Sequence, residues 1–256
     1  MSDPTAPRPA PPPPDAGCAV FLDVDGCLLD IAPTPDGVVV ADGLVETLAR
    51  LSQRLDGALA LVSGRSLAVL DALFAPLVLP AAGLHGLERR NGAERDMAPP
   101  APPAMAALRE EATRLAARFA GAVVEDKGVT LGLHWRLAPD AEDALQAFAL
   151  AALPRLPGYR LQHGKQLVEL RPAENSDGGG DKGTAITAFL SEPPFAGRRP
   201  VFAGDDLTDE AGFSVVNAHG GVSVLVGDRA GSAARHGLRD PADVHRWLHD
   251  AAGMPP

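Results

Sequence analysis

Two aspartates separated by one valine, Asp23-Val24-Asp25, follow the apolar run Cys18 to Leu22 and precede Gly26. Such a run is what a strand buried on both faces leaves in a sequence. Strand alternation directs Asp23 and Asp25 to one side, and Gly26 permits a sharp turn just beyond the strand's carboxyl end, where open α/β sheets bind ligands. Two carboxylates converging on a crevice can divide the work of phosphoryl transfer. One serves as nucleophile and metal ligand, the other handles a proton. An acidic turn after a strand reads the same way in isolation, so the pair needs partners elsewhere in the chain.

Three further stretches lie downstream: Leu61-Val62-Ser63-Gly64-Arg65, Asp181-Lys182-Gly183, and Ala203-Gly204-Asp205-Asp206-Leu207-Thr208-Asp209-Glu210. Each sits where an apolar run gives way to a loop or a helix start. In this order, with the D-x-D-G-x-L of residues 23–28, the set resembles the motifs of haloacid dehalogenase superfamily phosphatases. The resemblance implies a Rossmann-like α/β core with a parallel sheet and an inserted α/β cap. It makes Asp23 the nucleophile, Asp25 the general acid/base and Lys182 the charge clamp. Ser63, Gly64 and Arg65 would hold the phosphate together with Lys182. Mg2+ would be the cofactor, held by carboxylates of Asp23 and Asp205 and the backbone carbonyl of Asp25, with Asp206 and Asp209 completing its acidic surroundings.

Three segments narrow the resemblance to the trehalose-6-phosphate phosphatase family: Gly83-Leu84-His85-Gly86-Leu87-Glu88-Arg89-Arg90, Glu125-Asp126-Lys127-Gly128 through Leu133-His134-Trp135-Arg136, and Gly164-Lys165-Gln166-Leu167-Val168-Glu169-Leu170-Arg171-Pro172. The implied reaction is hydrolysis of trehalose 6-phosphate to trehalose and phosphate through an aspartyl phosphate, the last step of trehalose biosynthesis. His85, Glu125, Lys127, His134, Arg136, Lys165 and Glu169 become substrate-binding candidates, because a non-reducing disaccharide offers only hydroxyls, ring oxygens and one phosphate to charged hydrogen-bonding groups. Each residue, alone, reads equally as a surface charge. Two alternatives stand beside this reading. One is a phosphatase for another sugar phosphate, of sucrose or mannosyl-glycerate type. The other is a non-catalytic sugar-phosphate sensor or a partner domain of trehalose-6-phosphate synthase, against which the intact Asp23, Asp25, Lys182 and Asp205 argue. Cys27 departs from the family's usual threonine, which raises oxidation sensitivity as an expectation. Gly178-Gly179-Gly180 before Asp181 is a second departure.

The 256 residues, 46% of them hydrophobic, suffice for one large domain or two smaller ones, and a soluble enzyme is the default. A formal charge of −10 argues against nucleic acid as a partner and requires local cations or a metal for any anionic substrate. Cys18 and Cys27 are the only cysteines, so a reducing cytoplasm is expected rather than a disulfide framework. No apolar run has the length of a membrane span, and a monomer is expected.

The elements that must position these groups follow from periodicity. Residues 1–15, rich in proline, predict a disordered tail. Leu44, Val45, Leu48, Leu51 and Leu55 mark a helix, residues 59–62 a strand and residues 67–74 another helix, so β-α-β alternation predicts a doubly wound sheet. Asn91-Gly92 signals a hairpin. The run Ala98-Pro99-Pro100-Ala101-Pro102-Pro103 breaks the pattern, and residues 99–172 then read as a cap of antiparallel strands backed by two helices. The core would comprise residues 16–98 and 173–256, entered for the second time through a flexible stretch at residues 174–180. Asp240-Pro241 opens the final helix.

Overall fold

The computed structural model describes residues 8–173 and 180–254, and the glycine-rich crossing read at residues 174–180 lies outside them except for Gly180. The chain forms two compact units, one built from the chain up to Ile31 with Val39–Asp96 and the chain from Asp181, the other from Ala32–Val38 and Met97–Gly180.

In the first unit, β1 (Cys18–Leu22) is buried along its whole length, as a strand covered on both faces must be. Leu44, Leu48 and Leu51 form the buried stripe of α1 (Leu44–Arg54). β2 (Leu59–Val62), α2 (Leu67–Phe74) and β3 (Ala81–Gly83) continue the alternation. The Asn-Gly turn then joins β4 (Glu88–Asn91) to β5 (Glu94–Asp96) as an antiparallel hairpin, with Gly92 at φ 62°.

In the second unit, β6 (Val123–Asp126), β7 (Leu131–His134), β8 (Tyr159–Gly164) and β9 (Leu167–Pro172) make an antiparallel sheet ordered β6-β7-β9-β8, with the helices α3 (Ala104–Ala116) and α4 (Glu142–Ala152) before β6 and between β7 and β8. Leu131, Leu133, Val168 and Leu170 share one core with Met105, Leu108, Ala112, Leu145 and Ala149 of the helices. Strand alternation therefore sends Glu125, Gly132, His134 and Glu169 to the opposite face.

The chain returns to the first unit through α5 (Lys182–Leu190), β10 (Arg199–Gly204), α6 (Glu210–Ala218), β11 (Val222–Val226), β12 (His236–Leu238) and α7 (Pro241–Ala252). The large sheet runs β12-β11-β10-β1-β2-β3-β4-β5, parallel from β12 to β3. Phe21 stacks on Phe195 with ring centroids 5.4 Å apart beneath it. Register carries the functional consequence: Leu22 pairs with both Ala203 and Leu61, so β1, β10 and β2 end level. Asp23, Asp205 and Ser63 consequently emerge along one carboxyl edge.

The expectation of a disordered tail fails for residues 8–15. Pro9 O accepts from Gly237 N at 3.0 Å, Arg8 Nε donates to Ala234 O at 2.9 Å, and Trp247 Nε1 donates to Pro12 O at 3.1 Å. Pro11 and Pro14 are buried. A count of large apolar side chains underrates such a segment, because proline has little freedom to lose and an extended chain leaves its carbonyls available. Residues 1–7 lie outside the described residues.

Candidate active site

Lys182 stands at the first position of α5, which a reciprocal cap starts: Asp181 Oδ1 accepts from Thr184 N at 2.7 Å and Thr184 Oγ1 from Asp181 N at 2.9 Å. The helix thus begins at Lys182, two residues earlier than its apolar pattern. The ammonium, 2% exposed at the side chain, lies 2.9 Å from Asp23 Oδ1 and 2.7 Å from Asp209 Oδ1. Burial works against its charge, but Asp209, Asp23 and Asp206 outweigh burial and hold the lysine pKa well above its ordinary value.

Asp209 anchors the acidic loop. Its Oδ2 accepts the Asp205 amide at 2.8 Å and the Asp206 amide at 2.9 Å, folding residues 205–209 back on themselves. Asp206 Oδ1 in turn accepts from Thr208 N and Oγ1 at 2.7 and 2.6 Å. Two glycines are required here by close approach. A Cβ on Gly26 would collide with the Asp205 carboxylate, and one on Gly204 with the Asp209 carboxylate. The buried carboxylates of Asp23, Asp205 and Asp209 offer oxygens all within 4.8 Å of one another. Five carboxylates, those of Asp23, Asp25, Asp205, Asp206 and Asp209, gather here, with Lys182 paired to Asp23 and Asp209 and Arg65 to Asp25. Hard oxygens with that surplus of negative charge suit a divalent cation. Burial, opposed by Lys182 and reinforced by Asp209 and Asp205, pushes the Asp23 carboxyl well above the usual range. Burial likewise pushes Asp209 up to about 6.

Arg65 is placed on Asp25. Its Nε donates to Oδ2 and its Nη2 to Oδ1, both at 2.7 Å. Ser63 is fully buried, and its Oγ accepts the Arg65 amide at 3.2 Å. Gly64 has the His85 ring against it, where a Cβ would stand 2.5 Å from Nε2. His85 reaches that position through two consecutive non-glycine residues in the left-handed region, Leu84 at φ 50° and His85 at φ 56°, a costly conformation that clusters at functional sites. The amides of Leu84 and His85 bind Arg65 O and Ser63 O at 2.9 and 2.8 Å, locking the two loops together.

Two positioning residues escaped sequence reading. Glu88 Oε1 accepts the Leu67 amide at 2.6 Å, fastening the start of α2 behind Ser63-Gly64-Arg65. Arg229 donates to Asp206 O at 3.0 Å and pairs with Glu210, bracing the acidic loop from the far side. Glu88 heads the charged run Glu88-Arg89-Arg90, where nothing distinguishes it from a surface charge, and Arg229 follows Gly227-Asp228 with no pattern at all. The Cys27 thiol is fully buried and held well above its ordinary pKa by burial and then by Asp23, so the expected oxidation sensitivity is corrected: the thiolate is disfavoured.

In the second unit, Glu125 pairs with Gly132 across β6-β7, Gly132 with Glu169 across β7-β9, and Glu169 with Gln162 across β9-β8. Gly132, between the two glutamates, carries no side chain, and His134 and Glu125 close over it: a Cβ there would stand 3.1 Å from His134 Nε2 and 3.4 Å from Glu125 Oε2. Around it, Lys127 Nζ lies 3.1 Å from Glu169 Oε1 and 3.4 Å from Glu125 Oε2, His134 Nε2 lies 2.9 Å from Glu125 Oε2, and Thr130 Oγ1 donates to Glu169 Oε1 at 2.9 Å. Burial opposes the Lys127 charge, yet Glu169 and Glu125 raise its pKa above the lysine norm. Arg136 and Lys165 stand differently: Arg136 donates to Lys165 O at 3.0 Å, and Lys165 is exposed in the β8–β9 turn.

A parallel sheet whose level strand ends carry these aspartates and a helix-borne lysine defines a haloacid dehalogenase-type fold. Solved structures agree. The C-terminal domain of the C. albicans trehalose-6-phosphate phosphatase superposes with a TM-score of 0.76 at 22% identity, covering 93% of both chains. A trehalose-6-phosphate phosphatase related protein gives 0.75 at 24% identity, covering 91% of this chain and 96% of its own. At sequence level, residues 21–242 match the trehalose-phosphatase family. A probable trehalose-phosphate phosphatase of Sinorhizobium fredii is 47% identical over 92% of this chain and 88% of its own, and the Escherichia coli trehalose-6-phosphate phosphatase is 46% identical over 90% and 85%. The chain belongs to the trehalose-phosphatase family and is an enzyme. Among the described residues, no helix is long and apolar enough to cross a membrane.

Proposed function

We propose that the protein hydrolyses trehalose 6-phosphate to trehalose and phosphate. The observation that carries this is the buried Asp23–Lys182–Asp209 triad at the strand ends of a chain nearly half identical to named trehalose-6-phosphate phosphatases. Asp23 attacks phosphorus, forming a bond from its carboxylate oxygen as the bond to the sugar oxygen breaks. Asp25 gives that oxygen its proton. Asp25 then takes a proton from the attacking water, the bond from Asp23 to phosphorus breaks, and inorganic phosphate leaves with both aspartates restored. Ser63 and Gly64 cradle the phosphate, and Lys182 neutralises the charge spread over its equatorial oxygens.

The crowding of the Asp23, Asp205 and Asp209 carboxylates beside the phosphate position supports Mg2+ as the cofactor, held by Asp23 and Asp205 with the Asp25 carbonyl. When bound, it neutralises phosphate charge and stabilises the ionised form of Asp23. Asp206 and Asp209 act on it through their charge and hydrogen bonds.

The polar cluster around Gly132 is proposed to read the sugar hydroxyls through Glu125, Lys127, His134 and Glu169, with Arg136 and Lys165 as secondary contacts, making the second unit a substrate-selecting cap; His85 is proposed as a substrate contact of the first unit. The buried free thiols Cys18 and Cys27 fit a reducing cytoplasm. The synthase that makes the substrate is the partner to test first by co-purification. Phosphate release over a panel containing trehalose, sucrose, mannosyl-glycerate and glucose phosphates, with Mg2+ and with a chelator, decides the matter. Preference for trehalose 6-phosphate that vanishes on chelation is expected; equal turnover across the panel sinks the substrate assignment.

A further inference from the structure

We infer that Arg65 is a positioning residue for Asp25 and not a ligand of the transferred phosphate, an inference that rests on Asp25 being the proton-transfer group. The two bonds run from neighbouring guanidinium nitrogens to the two oxygens of one carboxylate, both at 2.7 Å. This fork fixes the plane of the carboxyl group as well as its place, which a single contact cannot do. An aspartate needs that help, because its terminal torsion is broad and has no strongly preferred setting. Each carboxylate oxygen still keeps a second acceptor position for a substrate oxygen or water.

The two partners are built differently. Arg65 is the buried one, 11% exposed at the side chain against 38% for Asp25. Its main chain is tied on both sides, its amide to Ser63 Oγ at 3.2 Å and its carbonyl to the Leu84 amide at 2.9 Å. Ser66 then caps α2 by accepting from Val69 N at 3.3 Å. Behind it, Glu88 holds the Leu67 amide. The arginine is therefore anchored at its main chain and the better shielded of the two, and its fork holds the more exposed aspartate side chain. To bind phosphate with the same fork, Arg65 would have to release both oxygens of Asp25 and give up the two bonds that fix the plane of the carboxyl group. The arrangement favours Arg65 staying on Asp25 while Ser63, Gly64 and Lys182 take the phosphate.

The role matters most for a leaving group that cannot depart without a proton. A sugar alkoxide is of that kind, and a p-nitrophenolate is not. The test uses the full chain with saturating Mg2+, comparing Arg65→Met, Arg65→Lys, Asp25→Asn and the Arg65→Met/Asp25→Asn double variant on trehalose 6-phosphate and p-nitrophenyl phosphate. Inhibition by inorganic phosphate is measured alongside. Acid catalysis contributes roughly a hundredfold or more, so Arg65→Met should lower kcat on the sugar phosphate by about 30- to 300-fold. KM and the inhibition constant for phosphate should stay within about threefold, and the loss on the aryl phosphate should be at least about tenfold smaller. Lysine keeps the charge but not the planar fork, so Arg65→Lys should fall between, and it carries the same comparison if Arg65→Met does not fold. Adding Arg65→Met to Asp25→Asn should cost about threefold or less, as expected for groups that act as one unit. A rise in KM and in the phosphate inhibition constant of about tenfold or more, alike on both substrates, would make Arg65 a phosphate ligand and overturn the inference. If Asp25→Asn discriminates between the substrates and Arg65→Met does not, the inference alone fails. If Asp25→Asn does not discriminate, the assignment of Asp25 falls and the inference falls with it.

Discussion

The Lys182 ammonium lies 2.9 Å from Oδ1 of Asp23, so the carboxylate proposed to attack phosphorus and the cation proposed to receive its charge are already in contact inside the protein. Asp23→Asn removes the nucleophile and a cation ligand together. A fall in kcat of about a thousandfold or more is expected, with the fold retained, as rapid-quench or steady-state phosphate release would show. Near-normal turnover would end the aspartyl-phosphate mechanism.

Lys182→Met carries a different cost. It strands Asp23 and Asp209 in a buried site, and breaking one side of a buried ion pair typically destabilises by about 3 to 5 kcal/mol. Urea unfolding should show that loss in the metal-free protein and a smaller one with Mg2+ present. An unchanged midpoint would mean that the acidic cluster tolerates its own charge.

The metal-free protein should become less stable as pH rises from about 4 to about 6. Burial holds Asp209 up to about 6, above its ordinary value of 3.8, so the folded state binds more protons than the unfolded chain across this window. Stability then falls with rising pH. Asp23, also raised by burial, extends the trend in the same direction. Added Mg2+ should raise the melting temperature, and by more at pH 7 than at pH 4. Scanning calorimetry at a series of pH values checks the sign, and a flat or rising profile for the chelated protein contradicts it.

Glu169, 2% exposed, holds Lys127 and Thr130 beside Gly132. Glu169→Ala should reduce kcat/KM for trehalose 6-phosphate by a factor corresponding to about 2 to 4 kcal/mol, while turnover of a small acyl phosphate and Mg2+ affinity change little. Equal losses on both substrates would show that Glu169 supports the fold and not sugar recognition.

Deleting residues 1–15 should lower stability by roughly 1 to 3 kcal/mol, because the carbonyls of Pro9 and Pro12 bind Gly237 and Trp247 and two prolines are buried. Trp247→Phe, which keeps the ring and loses the donor, should account for about 1 kcal/mol of it. Denaturant melts of the two variants provide the comparison, and an unaltered midpoint for the deletion would show that the docked segment contributes nothing.

Much of this molecule could be read without coordinates. The doubly wound sheet, the Asn91-Gly92 hairpin and the order of the acidic, serine and lysine motifs are local patterns: apolar runs, turn residues and charges at fixed offsets, each set by a few consecutive residues. The same locality explains why Asp23, Lys182 and Asp205 stand out in the sequence, since each stands at an element boundary that its neighbours announce. What Arg65 touches could not be found that way. Whether its fork meets a phosphate or Asp25 depends on which strand lies beside β2, and β1 is brought there from forty residues away. The support from Glu88 and Arg229, the shielding of Cys27 and the docking of residues 8–15 on Trp247 are likewise contacts between distant segments. They depend on register and burial, which are properties of the assembled sheet, and only the tertiary structure decides them.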